Sequence, residues 1–296
     1  MTEDAIVDPW VTRVGAGKSK RRDRWSRHFL RSPIALVSLL CVVVALVLAF
    51  GADAIAPHDP LAQDVRNRLA APSMDHPFGT DALGRDVLSR VIHGTQVSLT
   101  AAFSAVALSA LVGVSLGIIA GYVGGLIDEV IMRIIDSVVA FPAIILALAF
   151  VTAFGATLRS VIFAITIVSI PLYARLMRAQ IMSVKETDFV LAARAIGARP
   201  LRIMGRHMLP NVLAPIVVAA TLGMSYAILA EASLSFLGAG VQPPTPTWGG
   251  MLNDAARYIH TNMYMTMFPG AAIFILVLSL NYLGDTLQDV MDPRSK

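Results

Sequence analysis

Six stretches of this chain are apolar over a length close to the thickness of a lipid bilayer. A helix needs about 20 predominantly apolar residues to cross the hydrocarbon core. Such runs lie near 34–56, 97–123, 137–158, 157–175, 211–238 and 267–284. In lipid every backbone group must find an internal partner, which favours helices. An all-α membrane bundle of six spans is therefore the expected fold class. Composition agrees, because only 15% of residues are charged against about 25% in a soluble domain. The fourth run is the shortest, with "SVIFAITIVSIPLYA" at its heart and Arg159 needing to reach the interface. Asp53 and Glu231 are the acidic residues that fall inside the runs.

The first run ends in Ala52-Asp53-Ala54, which mimics a small-residue cleavage site. Its apolar part is longer than the roughly 7–15 residues of a secretory signal, so it reads as a retained anchor. Lys and Arg then set the orientation, since they concentrate on the cytoplasmic side of spans. They crowd residues 1–33, the loop 176–210 with Arg175 at its edge, the C-terminal tail and Arg133. The rest are Arg66, Arg68, Arg85, Arg90, Arg159 and Arg257. Both termini are expected in the cytoplasm. The organisation expected is a basic tail (1–33), a first span (34–56), an extracytoplasmic segment (57–96), a five-span core (97–285) and a cytoplasmic tail (286–296).

Within the basic tail, Gly15-Ala16-Gly17-Lys18-Ser19 looks like half of a P-loop, G-x-x-x-x-G-K-[S/T]. The first glycine of that pattern is replaced by Thr12, and no strand-length apolar run precedes it. A P-loop needs a strand before it and a helix after it to converge N–H groups on phosphate. No nucleotide site is expected here.

Gly113, Gly117 and Gly121 recur at four-residue spacing, a stripe that lets another helix approach backbone to backbone. Packing within the bundle is the expected role. Pro142, Pro171 and Pro269 sit in or beside spans and predict kinks or helix starts. Cys41 lies in the first span and reads as a small packing residue.

The loop "RLMRAQIMSVKETDFVLAARAIGARPLRIMGRHMLPN" (175–211) is too long for a bare connector. Phe189, Ala192, Ala193 and Ile196 repeat at helical spacing, Gly197 suits a helix C-cap, and Pro200 suits the first turn of a second helix. Pro210 opens the fifth span. The expectation is a basic helix–turn–helix whose small residues, Ala192, Ala193 and Gly197, let it enter a partner's groove. The competing reading is an amphipathic pair lying on the membrane surface.

At these residues the chain resembles the binding-protein-dependent ABC importer permeases, whose signature loop is E-A-A-x-x-x-G-x(9)-I-x-L-P. Ala192, Ala193, Gly197, Leu209 and Pro210 match in register; Leu191 replaces the glutamate and His207 the isoleucine. "PSMDHPFGTDALGRDVLSRVIHGTQVSL" (72–99) and "ILAEASLSFLGAGVQPPTPTWGGML" (228–252) resemble the second, "C"-type permease subunit of peptide and nickel importers. The resemblance runs from about residue 25 to 290.

It implies the type I ABC importer permease fold, in a bacterial inner membrane. It also implies a homologous permease as heterodimer partner, two ABC ATPase subunits, an extracytoplasmic binding protein and contact with membrane lipid. ATP and Mg would sit on the ATPases, with no cofactor, no catalytic site and no nucleic acid on this chain. The loop, through Asp188, Leu191, Ala192, Ala193, Gly197, His207, Leu209 and Pro210, would couple the ATPases to the spans. The cargo implied is a di- or oligopeptide, with nickel or glutathione as alternatives. A secondary transporter or channel would call for ionisable residues at mid-bilayer and inverted repeats, and the sequence offers neither. An intramembrane enzyme would need a reactive pair within the spans.

Glu231 lies toward the outer end of the fifth span, where it reads either as a gate or pathway carboxylate or as a helix-end group reaching water. Asp81–Arg85 and Asp86–Arg90 stand at i,i+4 spacing and read as solvated pairs along a short outer helix. An outer docking surface is the second reading of these four residues. His58, His76 and His93 are too far apart in sequence for a ligand motif, and no metal is assigned.

Overall fold

The computed structural model describes residues 32–291. The basic tail with its Gly15–Ser19 segment, and residues 292–296 of the C-terminal tail, lie outside the described residues. Helix α1 (Pro33–Phe50) opens with Ser32, whose hydroxyl accepts from the Ala35 N–H, and with Pro33 in its first turn, where a missing N–H costs nothing. A short α2 (Ala52–Ile55) follows, then an irregular segment to Asp86 containing one 3₁₀ turn, Val65–Asn67. Helix α3 (Val87–Val123), N-capped by Asp86, starts ten residues before the apolar run that announced it. It ends at Gly124 and Gly125, both at positive φ, which glycine adopts without a Cβ clash.

The third span departs from expectation. Helices α4 (Gly125–Val139) and α5 (Ala143–Phe154) meet at 87° around Pro142, so the apolar run 137–158 is not one helix. The 12 residues of α5 reach about 18 Å, short of the roughly 30 Å of hydrocarbon. Pro142 supplies the break, since it has no N–H to give. Among the described residues, five helices are long and apolar enough to span singly, and six spans result only if this bent pair counts as one.

The fourth span is longer than its apolar core. Helix α6 (Leu158–Lys185) starts at Thr157, whose hydroxyl accepts from the Ser160 N–H, and carries Pro171 in its interior. Then come α7 (Asp188–Ala195), α8 (Pro200–Arg202), a π-helical turn (Ile203–Met208) and α9 (Leu209–Phe236). The expected second helix of the loop is therefore not separate: 200–236 is continuous. Pro210 explains the π turn, because its ring would crowd the Arg206 carbonyl of a regular helix. Leu209 N–H reaches five residues back to Met204. Helices α10 (Trp248–Ala256) and α11 (Tyr264–Met291) complete the described chain.

Helices α3 and α6 run parallel and form the centre. A Cβ on Gly113 would meet Tyr173 Cβ at 2.7 Å, one on Gly117 the Ala174 carbonyl oxygen at 2.5 Å, and one on Gly121 Ile181 Cβ at 2.9 Å. Advancing four residues on one helix advances four on the other, so the glycine stripe is the seat of α6. Around this pair the buried core is rich in alanine, and large apolar side chains such as Leu40, Phe103, Leu111 and Phe274 point outward. That inversion suits a lipid surround. The bundle has two ends: one carries α7, and the opposite loop end carries residues 51–86 and 237–263.

Candidate functional site

At the α7 end, Asp188 is exposed in the first turn, where a negative charge complements the helix dipole. The helix closes with Gly197 at φ +78°. The N–H groups of Gly197 and Ala198 donate to the carbonyls of Arg194 and Ala193 at 2.9 and 3.1 Å. This paired closure needs a left-handed residue after the last turn, and glycine supplies it.

The two alanines of the loop do different things. Ala193 is buried with Val190 in the chain's own core, beside Ile203 and Met208, whereas Ala192 is exposed. Consecutive residues on a helix point about 100° apart, so both could not serve one face. The expectation that Ala193 faces a partner is thereby corrected. What stands outward is an apolar ridge of Phe189, Ala192 and Ile196, the last 85% exposed, flanked by Leu191. His207 lies half-buried in the π turn, its carbonyl accepting from Asn211 Nδ2 at 2.6 Å; Leu209 is half-buried and Pro210 exposed.

Charged contacts that no local pattern announced hold this end together. The guanidinium of Arg194 lies 5.4 Å from the Tyr122 ring centroid and the Lys185 ammonium 6.0 Å, so the last turn of α3 faces cations from α6 and α7. Arg178 donates two hydrogen bonds to Asp128, at 2.5 and 2.6 Å, and Arg175 donates to Asp136 at 2.6 Å. Both pairs lock amphipathic α4 across α6.

Toward the loop end, Glu231 is fully buried between α9 and α3. Its carboxylate accepts from Ser98 Oγ at 2.9 Å and from Ser235 Oγ at 2.7 Å. The helix-end reading, with the carboxylate in water or on loop N–H groups, does not match this enclosure. Next to it the two long motifs pack together. Trp248 donates from Nε1 to the Val91 carbonyl at 3.0 Å and covers Gly94, where a Cβ would meet its Cδ1 at 2.8 Å.

The tetrad at 81–90 is not a solvated helix. Asp81, Arg85, Asp86 and Arg90 are all buried, and residues 81–86 form a turn. Asp81 Oδ1 accepts from the Leu83 and Arg85 N–H groups, while its Oδ2 pairs with Arg85 Nε at 2.6 Å and Arg90 Nε at 3.6 Å. Arg85 also reaches Asp254 at 3.6 Å, and Arg90 donates to the Pro60 carbonyl. The expected Asp86–Arg90 pair does not form, because Asp86 turns to cap α3 through the Ser89 N–H at 2.8 Å. His76 and His58 face this same carboxylate, whereas His93 pairs with Asp53 at 3.2 Å. Sequence distance hid this meeting of His58 and His76.

Residues 113–296 match the family model of the binding-protein-dependent transport system inner membrane component. Residues 20–72 match the N-terminal transmembrane domain of oligopeptide transport permease C. A dipeptide transport system permease protein of Alkalihalophilus pseudofirmus is 42% identical over 270 residues, covering 91% of this chain and 89% of that protein. A putative peptide transport system permease protein of Brucella suis is 46% identical over 263 residues (89% and 88%). A glutathione transport system permease protein of Escherichia coli is 45% identical over 271 residues (91% and 89%). Among solved structures, a chain of an inward-facing methionine ABC transporter superposes with a TM-score of 0.58 at 22% identity, covering 69% of this chain and 97% of that one. That likeness carries the fold: a type I ABC importer permease bundle. The chain belongs to the family of binding-protein-dependent transport system inner membrane components and is a permease.

Proposed function

We propose that this permease forms half of the translocation path for peptides in an ATP-driven importer, paired with a homologous permease. The observation that carries the reading is the two-sided build of α7. Val190, Ala193 and Arg194 tie its inner side to the bundle, while Phe189, Ala192 and Ile196 leave its outer side apolar and uncovered. Such a ridge fits a groove on a separate ATPase subunit, which would hold ATP and Mg and perform hydrolysis. The α7 end then faces the cytoplasm, with both termini, and the loop end receives the external binding protein. Closure of the motor would drag α7 and, through Tyr122, α3. ATP would shift the bundle between outward- and inward-open states only through contacts that differ between those states.

Relatives named for peptides and for glutathione are similarly identical to this chain, so the cargo is tested directly. The transporter is reconstituted in proteoliposomes with its ATPases and binding protein, and uptake of labelled dipeptide, oligopeptide, glutathione and nickel is compared. Peptide uptake abolished by Ile196→Glu, with ATPase co-purification lost, supports the reading. Saturable uptake of glutathione or nickel but not peptides would reassign the cargo. ATPase binding unaffected by Ile196→Glu and Phe189→Glu together would refute the coupling role.

A further inference from the structure

His58, His76 and Asp86 come from three separate stretches of the loop end, yet one ligand atom from each lies within 4.8 Å of the others. We propose that they form a binding site for a borderline divalent transition-metal ion of the Zn²⁺ class, which staples the 57–86 segment onto the start of α3.

The donor set fits. Two imidazoles and one carboxylate, with water in the fourth position, make a common tetrahedral zinc environment with bonds of about 2.0–2.2 Å. Ligand atoms of such a tetrahedron stand about 3.4 Å apart by that geometry. Here His76 Nδ1 lies 2.9 Å from Asp86 Oδ1, His58 Nδ1 lies 3.8 Å from Asp86 Oδ2, and the three ligand atoms stand within 4.8 Å of one another. Closing on one ion therefore takes side-chain movements of about 1 Å to reach tetrahedral spacing, which the exposed His58 has room to make. The imidazole rings are neighbours as well, with centroids 4.8 Å apart.

The surroundings are organised for the same purpose. Asp86 Oδ2 accepts from both the Ser89 N–H at 2.8 Å and the Ser89 hydroxyl at 2.7 Å, which fixes the carboxylate plane and leaves Oδ1 toward His76. The Ser89 oxygen also accepts from the His58 backbone N–H at 3.1 Å, so one serine orients two of the three ligands. Loss of an outer contact of this kind typically costs about 10- to 100-fold in metal affinity. The nearby guanidinium groups do not compete for the carboxylate: Arg85 and Arg90 pair with Asp81, Asp254 and the Pro60 carbonyl. His58 is 41% exposed in its side chain, which gives an ion a route from water, while Asp86 is buried. His93, one turn further along α3, is held by Asp53 and the Ser89 carbonyl and takes no part.

Zinc prefers this imidazole–carboxylate set over Mg²⁺ and Ca²⁺, which favour all-oxygen sites.

The test uses the assembled transporter in lipid nanodiscs, purified without a polyhistidine tag and stripped with chelator. Zn²⁺ affinity is read by competition with a chromogenic chelator, coordination by the visible absorption of added Co²⁺, and coupling to the fold by Zn²⁺-dependent melting. His76→Asn and His58→Asn keep a hydrogen-bonding amide near the Nδ1 position and so spare the fold, but bind these metals poorly. Each is expected to weaken Zn²⁺ at least 100-fold, abolish the tetrahedral Co²⁺ spectrum and remove the Zn²⁺-dependent rise in melting temperature. His93→Asn should retain all three. Should the wild type and both variants bind Zn²⁺ alike, or the wild type give no tetrahedral Co²⁺ spectrum, the cluster is only a hydrogen-bonded cap on α3 and the proposal is overturned.

Discussion

Gly117 of α3 stands so close to Ala174 of α6 that a Cβ would lie 2.5 Å from the Ala174 carbonyl oxygen and 2.8 Å from Met177 Cβ. The obstacle is backbone, which cannot rotate away. Gly117→Ala should therefore destabilise the bundle by about 1–3 kcal/mol of overpacking, outweighing the gain of up to about 1 kcal/mol in helix propensity. Gly270→Ala in α11 is the contrast. Its nearest neighbour would be Leu252 Cδ2 at 4.0 Å, so the propensity gain should stand alone and stability should hold or rise. Thermal unfolding of the two purified variants checks the opposite signs.

That stripe was legible because its signal is local: three small residues at one spacing on one helix face. So were the Gly197 cap and the apolar runs. The missed features share a different cause. The break at Pro142 set two helices at 87°, and a proline at the edge of an apolar run does not say by how much the chain turns. The Asp81–Arg85 pair formed at its expected spacing, but Arg85 also reaches Asp254 and its neighbour Arg90 the Pro60 carbonyl, contacts that no local spacing announces. Ala192 and Ala193 share small size, and which of them faces inward was decided by where the preceding α6 ended. His58 and His76 are separated by an irregular segment, and irregular backbone carries no periodicity from which to infer a meeting.

Glu231 has two hydroxyl donors and, among the described residues, no cationic partner. A glutamine of the same shape can accept from one serine and donate to the other. Glu231→Gln should therefore keep uptake within about twofold of wild type. Glu231→Leu should cost about 1–3 kcal/mol through the hydroxyls it leaves without a partner. Substrate leak or idle ATP hydrolysis in the glutamine variant would instead assign the carboxylate a charge-dependent gating role.

Tyr122 is expected to transmit force rather than merely fill space. A half-exposed cation–π contact is worth about 0.5–1 kcal/mol, equivalent to roughly 2- to 5-fold in an equilibrium. Tyr122→Leu keeps an apolar side chain but loses the ring under Arg194 and Lys185. Peptide-stimulated ATPase activity should fall 2- to 5-fold. Tyr122→Phe, which keeps the ring, should restore it.

The closure of α7 at Gly197 separates seating from docking. Nothing lies within 4 Å of a Cβ placed there, so a side chain meets no steric wall and only the positive φ opposes it. Valine should impose backbone strain of about 1–3 kcal/mol and loosen the pair of hydrogen bonds onto Arg194 and Ala193. Asparagine, which tolerates left-handed backbone, should be nearly silent. Gly197→Val is thus expected to leave the spans inserted while stimulated hydrolysis and uptake both fall steeply, and Gly197→Asn to retain most of each. Ala193→Trp should damage the same activities by another route. It overfills the chain's own core beside Val190 and Met208, so its loss should come with a lower melting temperature of the permease. Ile196→Glu alters an exposed ridge, so it should abolish ATPase binding at unchanged melting temperature. Measuring melting, ATPase co-purification and uptake on these four variants distinguishes the inner side of α7 from the outer. Equal wild-type transport by Gly197→Val and Ile196→Glu would remove α7 from the coupling path.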